Sequence, residues 1–165
     1  MKRRAFLRLR ERYARRGLRF VYVDESGFEP EAARRYGRAP RGQKVYGLRS
    51  GHRRPRTSLL AARIDGRLEA TMLFEGHCDA AFFNMWLARE LCPLLDERCV
   101  VILDNVPFHK SARTREIVGD KGAKILFLPP YSPDLNDIEH DFATIKKLRE
   151  YNEHESLDDI IRMYD

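Results

Sequence analysis

The sequence predicts an α/β domain, a mixed five-stranded sheet flanked by helices. Three observations carry that expectation. Up to about residue 76 the apolar runs are separated by turn residues, as in an antiparallel meander. Beyond residue 78 they alternate with segments of helical period, as in parallel βαβ units. Two of the runs, 19–24 and 99–104, each close on an aspartate.

The elements follow in order. Residues 2–17 are strongly basic, with Phe6, Leu9 and Tyr13 three to four apart, and predict a helix or linker ahead of a domain spanning 18–165. "LRFVYVDES" (18–26) is a strand rich in β-branched and aromatic residues that ends at Asp24. "RAPRGQK" (38–44) is a turn and "VYGL" (45–48) a short strand. "RTSLLAARI" (56–64) and "LEATMLFEG" (68–76) flank Asp65-Gly66, a hairpin dipeptide. "CDAAFFNMWLARELCPLL" (78–95) has Phe82, Met85, Trp86, Arg89 and Leu91 at helical spacing and stops at Pro93. Trp86 and Phe82 are most simply core.

"CVVILDN" (99–105) and "AKILFLPP" (123–130) are continuous apolar runs, the pattern of strands buried on both faces. Between them "SARTREIVGDKG" (111–122) is a helix capped by Ser111 and stopped near Gly119 or Gly122. A further helix starts near Asn136 and runs to about Tyr151, with Ile138, Phe142, Ile145 and Leu148 on one face. "SLDDIIRMY" (156–164) closes the chain as a short helix capped by Ser156. Three antiparallel strands followed by helix, strand, helix, strand, helix is the layout of the ribonuclease H-like fold. Right-handed crossovers would set strand 99–104 beside strand 19–24, with both terminal aspartates at the sheet's carboxyl edge, where open α/β sheets bind ligands.

Composition limits the function classes. A chain of 165 residues, 43% hydrophobic and 34% charged, is an ordinary single globular domain. No run reaches the ~18 apolar residues of a membrane span, and the basic N-terminus lacks the apolar stretch of a signal peptide. Cys78, Cys92 and Cys99 are odd in number and form no CxxC pair, which argues for a reducing cytoplasm and against a zinc site or disulfide framework. Residues 1–56 hold 18 Lys/Arg against five Asp/Glu, while residues 57–165 hold 13 against 20. A basic part beside an acidic part suits an enzyme that binds a polyanion near a carboxylate metal site; a solvated arginine-rich surface explains the charge equally well.

Singly, each acid has an ordinary explanation. Asp24 and Asp104-Asn105 can be turn residues, and Glu139, three after Asn136, can be the third-position acid of a capping box. Together they place two aspartates on adjacent strands and a glutamate on a helix directly after a third strand. Three carboxylates at one spot repel one another unless a cation holds them, and an all-oxygen ligand set favours Mg²⁺ or Mn²⁺ over zinc. Two such ions clamp the attacking and leaving oxygens of an in-line phosphoryl transfer. The proline-rich turn "LPPYSPDLN" (128–136) would then fix where Glu139's helix begins.

"VYVDESGF", "VVILDNVPFH" and "LFLPPYSPDLNDIEHDFATIKK" resemble the three catalytic blocks of mariner-like DDE transposases of the kind carried by bacterial insertion sequences. The likeness covers about residues 18–150. It implies a catalytic and metal-binding triad of Asp24, Asp104 and Glu139 holding two Mg²⁺ (or Mn²⁺) ions. Water would cut DNA at the element ends, and the freed 3′-hydroxyl would attack target DNA, often at TA. It further implies a homodimer on DNA, associated with the nucleoid. Asp137 stands where relatives usually have proline and Phe142 where many have tryptophan. The usual helix-turn-helix domain that reads transposon ends is not seen, so a separate reading frame supplies it or the chain is a truncated remnant.

Other candidates surround the triad. Asn105 is placed to orient Asp104 or a metal-bound water. His109 is placed to contact a phosphate near the cut, or is a histidine satisfied at the mouth of the next helix. Tyr131 and Ser132 serve the turn or contact DNA, the structural role being the simpler. Arg34, Arg35, Arg38, Arg41 and Lys44 surround the first turn and are candidate phosphate contacts. Two competing functions stand beside transposition: a general nuclease of the same fold, such as one acting on RNA–DNA hybrids, and a non-catalytic DNA-binding remnant.

Overall fold

The computed structural model describes residues 2–29, 40–44 and 56–164. The short strand expected at 45–48, and Arg34, Arg35 and Arg38, lie outside the described residues. Among the described residues five strands form one mixed sheet in the order β3-β2-β1-β4-β5. β1 (Arg19–Phe28) is central. It pairs antiparallel with β2 (Thr57–Ile64) and parallel with β4 (Cys99–Leu103), and β5 (Lys124–Phe127) lies parallel on β4's far side. β3 (Arg67–Glu75) returns from β2 through Asp65 and Gly66, whose φ values of 50° and 87° are the paired left-handed conformations that an Asp-Gly hairpin turn requires.

Period-two alternation divides β1 and β4 between two cores. Tyr22, Val100 and Ile102 face a cluster formed with Phe6 of α1 (Arg3–Arg15), Ile138, Phe142 and Ile145 of α4 (Ile138–Tyr151), and Ile160 of α5 (Leu157–Tyr164). Val21, Val23, Val101 and Leu103 face the opposite cluster, built from Phe83 and Trp86 of α2 (Ala80–Trp86) and Ile117 and Val118 of α3 (Ala112–Gly119). Burial on both faces is why these strands read as unbroken apolar runs. Ser111 caps α3 by accepting the Thr114 N–H at 3.0 Å, and Ser156 caps α5 by accepting the Asp159 N–H at 3.1 Å.

Two local expectations change. The helix beginning at Ala80 does not keep one pitch: after Trp86 it widens into a π turn over Leu87–Leu91 and tightens into a 3₁₀ turn over Cys92–Leu94 at Pro93. The wider turn rotates Leu87 and Leu91 inward with Phe83 and Trp86, leaving Arg89 exposed. Trp86 donates its indole N–H to the Ala70 carbonyl at 2.8 Å, at the point where the β2–β3 register shifts between Leu60 and Ala62. Strand 123–130 is shorter and more exposed than its apolar run suggests, because β5 is the sheet edge and only Leu126 within it is buried. The N-terminal segment is a helix, and Phe6 is fully buried against the sheet.

Candidate active site

Asp24 does not end its strand. β1 continues to Phe28 because β2 pairs with it as far as Phe28↔Thr57. The parallel ladder with β4 stops earlier, at Tyr22↔Ile102, and β4 itself ends at Leu103. Asp24 and Asp104 therefore each follow, by two residues, the last paired residue of their ladder, at the carboxyl edge of the parallel half. Alternation sets them on the face of Tyr22 and Ile102, which α4 covers.

The third acid arrives by a stiffened route. Leu128 donates its N–H to the Leu103 carbonyl at 2.8 Å, carrying the β4–β5 pairing one residue further. The chain then turns through Pro129, Pro130 and Tyr131 (φ 53°), and makes a 3₁₀ turn at Pro133–Leu135 before α4. Asp137 occupies the residue before α4 but makes no side-chain cap. Asn136 is not the helix cap either: it is buried, and its side-chain Nδ2 donates to Asp24 Oδ2 at 2.8 Å. The capping-box explanation of Glu139 fails on this geometry. Glu139 is the second residue of α4, exposed, and near enough to Asp24 for its charge to act there.

The acids of this helix start part company. Asp137 lies near Tyr22, where burial first and that acid second push the phenol up to about 12. Asp141 is 1% exposed, accepting from Arg63 of β2 and the Tyr164 hydroxyl of α5. Of the three, Glu139 is the acid whose charge acts on Asp24.

Asp104 is held from the other side. His109, in a 3₁₀ turn at Pro107–Lys110, places Nδ1 2.5 Å from Asp104 Oδ1 while its ring packs on Phe83 and Phe108 at 4.2 and 4.4 Å between centroids. At 4% exposure His109 faces Asp104 rather than open solvent, and this, not Asn105, is the side chain bonded to that carboxylate. Asn105 follows in the half-buried bend, and Arg41 and Lys44 are exposed in the turn at 40–44. Among the described residues no three His, Cys, Asp or Glu side chains are closed into a metal-binding group.

Burial, followed by the charges of Asp104 and Glu139, pushes the Asp24 carboxyl from 3.8 up to about 7, against the opposing hydrogen bond from the Glu25 N–H. A raised folded-state value means the fold binds this proton more tightly than the unfolded chain. The associated stability is therefore fully present below about pH 4 and lost as pH rises through about 7. The parent is expected to lose stability relative to Asp24→Asn across that window, by at most about 4 kcal/mol. Thermal melts of both proteins at pH 4.5 and 8 in chelator check this; parallel pH profiles would refute it.

Residues 19–161 match the family described as DDE superfamily endonuclease. The chain belongs to that family. The fold of this DDE superfamily member is similar to that of the Mos1 transposase paired-end complex with left transposon end, at 20% identity and TM-score 0.71, over 99% of this chain and 54% of that one. It is also similar to the Mos1 mariner paired end complex with Mn (20% identity, TM-score 0.72, 96% of this chain and 51% of that one). A third likeness is to the Mos1 transposase catalytic domain with Raltegravir and Mg (18% identity, TM-score 0.62, 96% and 75%). The chain spans about half the length of the first two. No curated protein matches it. The mixed sheet with helices on both faces is thus the ribonuclease H-like architecture expected from the order of elements. No helix among the described residues is long and apolar enough to cross a membrane.

Two arrangements in this DDE superfamily member have no counterpart in the local sequence pattern: Asn136 bonds Asp24 instead of capping a helix, and Arg63, Asp141 and Tyr164 form a cluster. The available signal was Asp141 itself, an acid in register with neither the exposed face of α4 nor its cap.

Proposed function

We propose that this chain is the catalytic domain of a DNA transposase, which cuts DNA at transposon ends and joins the freed end to target DNA. The observation that carries the reading is the meeting of Asp24, Asp104 and Glu139 at one sheet edge, brought from two adjacent parallel strands and the helix after a third. The donor set fits a hard divalent cation. All three are oxygen donors, Asp104 is 35% exposed on its open side, and the negative crowding felt at Asp24 is what a cation relieves. Bound Mg²⁺ or Mn²⁺, two ions in this reading, would supply Lewis-acid polarisation of the scissile phosphate and activation of the attacking oxygen.

The chain's own residues do the rest. Asp24, Asp104 and Glu139 would hold the cations, and the His109 Nδ1 contact would keep Asp104 from rotating away. Water attacks the phosphodiester at the element end, leaving a 5′-phosphate and a 3′-hydroxyl; that hydroxyl then attacks a phosphodiester of the target, forming one P–O bond as the target's own 3′-oxygen leaves as a hydroxyl. Recognition of the element ends belongs to a helix-turn-helix domain outside these 165 residues, with the catalytic domain acting as a homodimer on DNA. Calorimetry with Mn²⁺ tests the site directly: the parent is expected to bind, and Asp24→Asn and Asp104→Asn to lose most of that binding. Equal binding in all three would remove the triad from the mechanism.

DNA itself is expected to run along α1. Arg4, Arg8 and Arg12 are exposed and spaced i, i+4, i+8, so they stand about 6 Å apart on the face opposite Phe6. Each phosphate neutralised releases a counterion, adding about 0.9 to the slope of log affinity against log salt. Replacing all three with Gln is expected to flatten the salt dependence of non-specific duplex binding by about two to three units of that slope. An unchanged slope would take α1 out of the DNA path.

A further inference from the structure

We propose that Asn136 is the positioning residue of this site: it locks the carboxylate of Asp24 by one oxygen and offers its side-chain oxygen, Oδ1, to the water shell of the bound cation. The inference rests on the metal-dependent reading above and extends it to a residue that is no ligand. Asn136 is 3% exposed, and Nδ2 donates to Asp24 Oδ2 at 2.8 Å across 112 positions of sequence. The other oxygen of Asp24 accepts the Glu25 N–H at 2.8 Å. The carboxylate is therefore gripped at both ends, and its remaining lone pairs have one fixed direction.

The same residue also reaches the third acid. The Asn136 carbonyl accepts the Glu139 N–H at 3.1 Å, and its own N–H donates to the Pro133 carbonyl at 2.9 Å. One residue thus sets the side chain of Asp24 and the helix start that bears Glu139. The prolines at 129, 130 and 133 remove the backbone freedom that would let it drift.

The decisive feature is what Asn136 leaves undone. Its Oδ1 is buried with no hydrogen-bond partner in the protein. An asparagine kept only for structure satisfies both ends of its amide, as a cap or an Asx turn does, because an unmet buried acceptor destabilises the fold. Here the donor end is committed to Asp24, so the orphaned oxygen lies beside the proposed cation site. A water bound to Mg²⁺ or Mn²⁺ is a strong donor for it, and side chains that orient ligands in this way usually govern metal affinity.

Asn136→Leu and Asn136→Ala, measured beside the parent and Asp24→Asn, separate the roles. Mn²⁺ binding is read by electron paramagnetic resonance, and melting temperature is read in chelator. Both Asn136 variants are expected to bind Mn²⁺ about ten- to a hundredfold more weakly. The Leu variant, which fills the space without an unmet polar atom, is expected to melt no lower than the parent. Mn²⁺ affinity within twofold of the parent in either folded variant overturns the proposal, as does failure of both to fold. Parent protein that binds no Mn²⁺, or Asp24→Asn that binds it normally, overturns the metal reading itself and this inference with it.

Discussion

Glu139→Gln is expected to abolish metal-dependent cleavage of a transposon-end duplex while leaving the melting temperature nearly unchanged. Glu139 is exposed at the second position of α4, and the contact it makes at the helix start is through its backbone N–H to the Asn136 carbonyl. Gln keeps that bond and forfeits only the interaction of an acid with the helix dipole, about 0.3–1 kcal/mol. As a holder of the cation, in contrast, the acid supplies a negative charge that Gln lacks. Losing it removes several kcal/mol of transition-state stabilisation, a drop of roughly a thousandfold or more in rate. The assay must contain the domain that recognises the ends. Cleavage by the Gln variant at the parent's rate would sink the transposase reading at its most specific residue.

Phe6→Ala carries the largest expected cost to stability. Phe6 is fully buried in the cluster of Tyr22, Ile138 and Phe142, so it is the anchor of α1 on the sheet. Truncation of a buried Phe costs about 3–5 kcal/mol through lost transfer energy and the cavity left behind. For a domain of this size that lowers the melting temperature by roughly 10 °C. Leu9 and Tyr13 pack at the margin of the same cluster, and the Arg3–Asp134 ion pair joins two half-exposed side chains, where water and salt screen most of the attraction. Arg3→Ala is therefore the control expected to change little. A Phe6→Ala variant as stable as the parent would make α1 a linker, not part of the folded unit.

Much of the candidate site was legible in the sequence because its elements are marked by strong local patterns. Strand β4 is apolar throughout since both its faces are covered, and Asp104 stands out as the first charge after it. The Asp65-Gly66 hairpin and the Ser111 and Ser156 caps need only a few neighbouring residues to be specified, and all formed where expected. Other details were hidden because they depend on partners. The extension of β1 past Asp24 is imposed by β2, and the exposure of β5 by its place at the sheet edge. The π turn after Trp86 answers to the packing of Leu87 and Leu91 against the sheet, not to any residue in the helix that announces it.

By itself the sequence determined the order of elements that makes a mixed sheet and singled out Asp24, Asp104 and Glu139 as the acids of the candidate site. Local period and turn chemistry suffice for that, since each acts over a few residues. Only the tertiary structure decided what each polar side chain does once there. Asn136 is the partner of Asp24 rather than a helix cap, His109, open to a phosphate contact or a satisfied place at the helix mouth, is bonded to Asp104, and Asp141 forms a buried ion pair with Arg63. Those partners lie on different elements, in two cases more than 70 residues away, and a side chain with several possible hydrogen bonds takes the one that packing brings within reach.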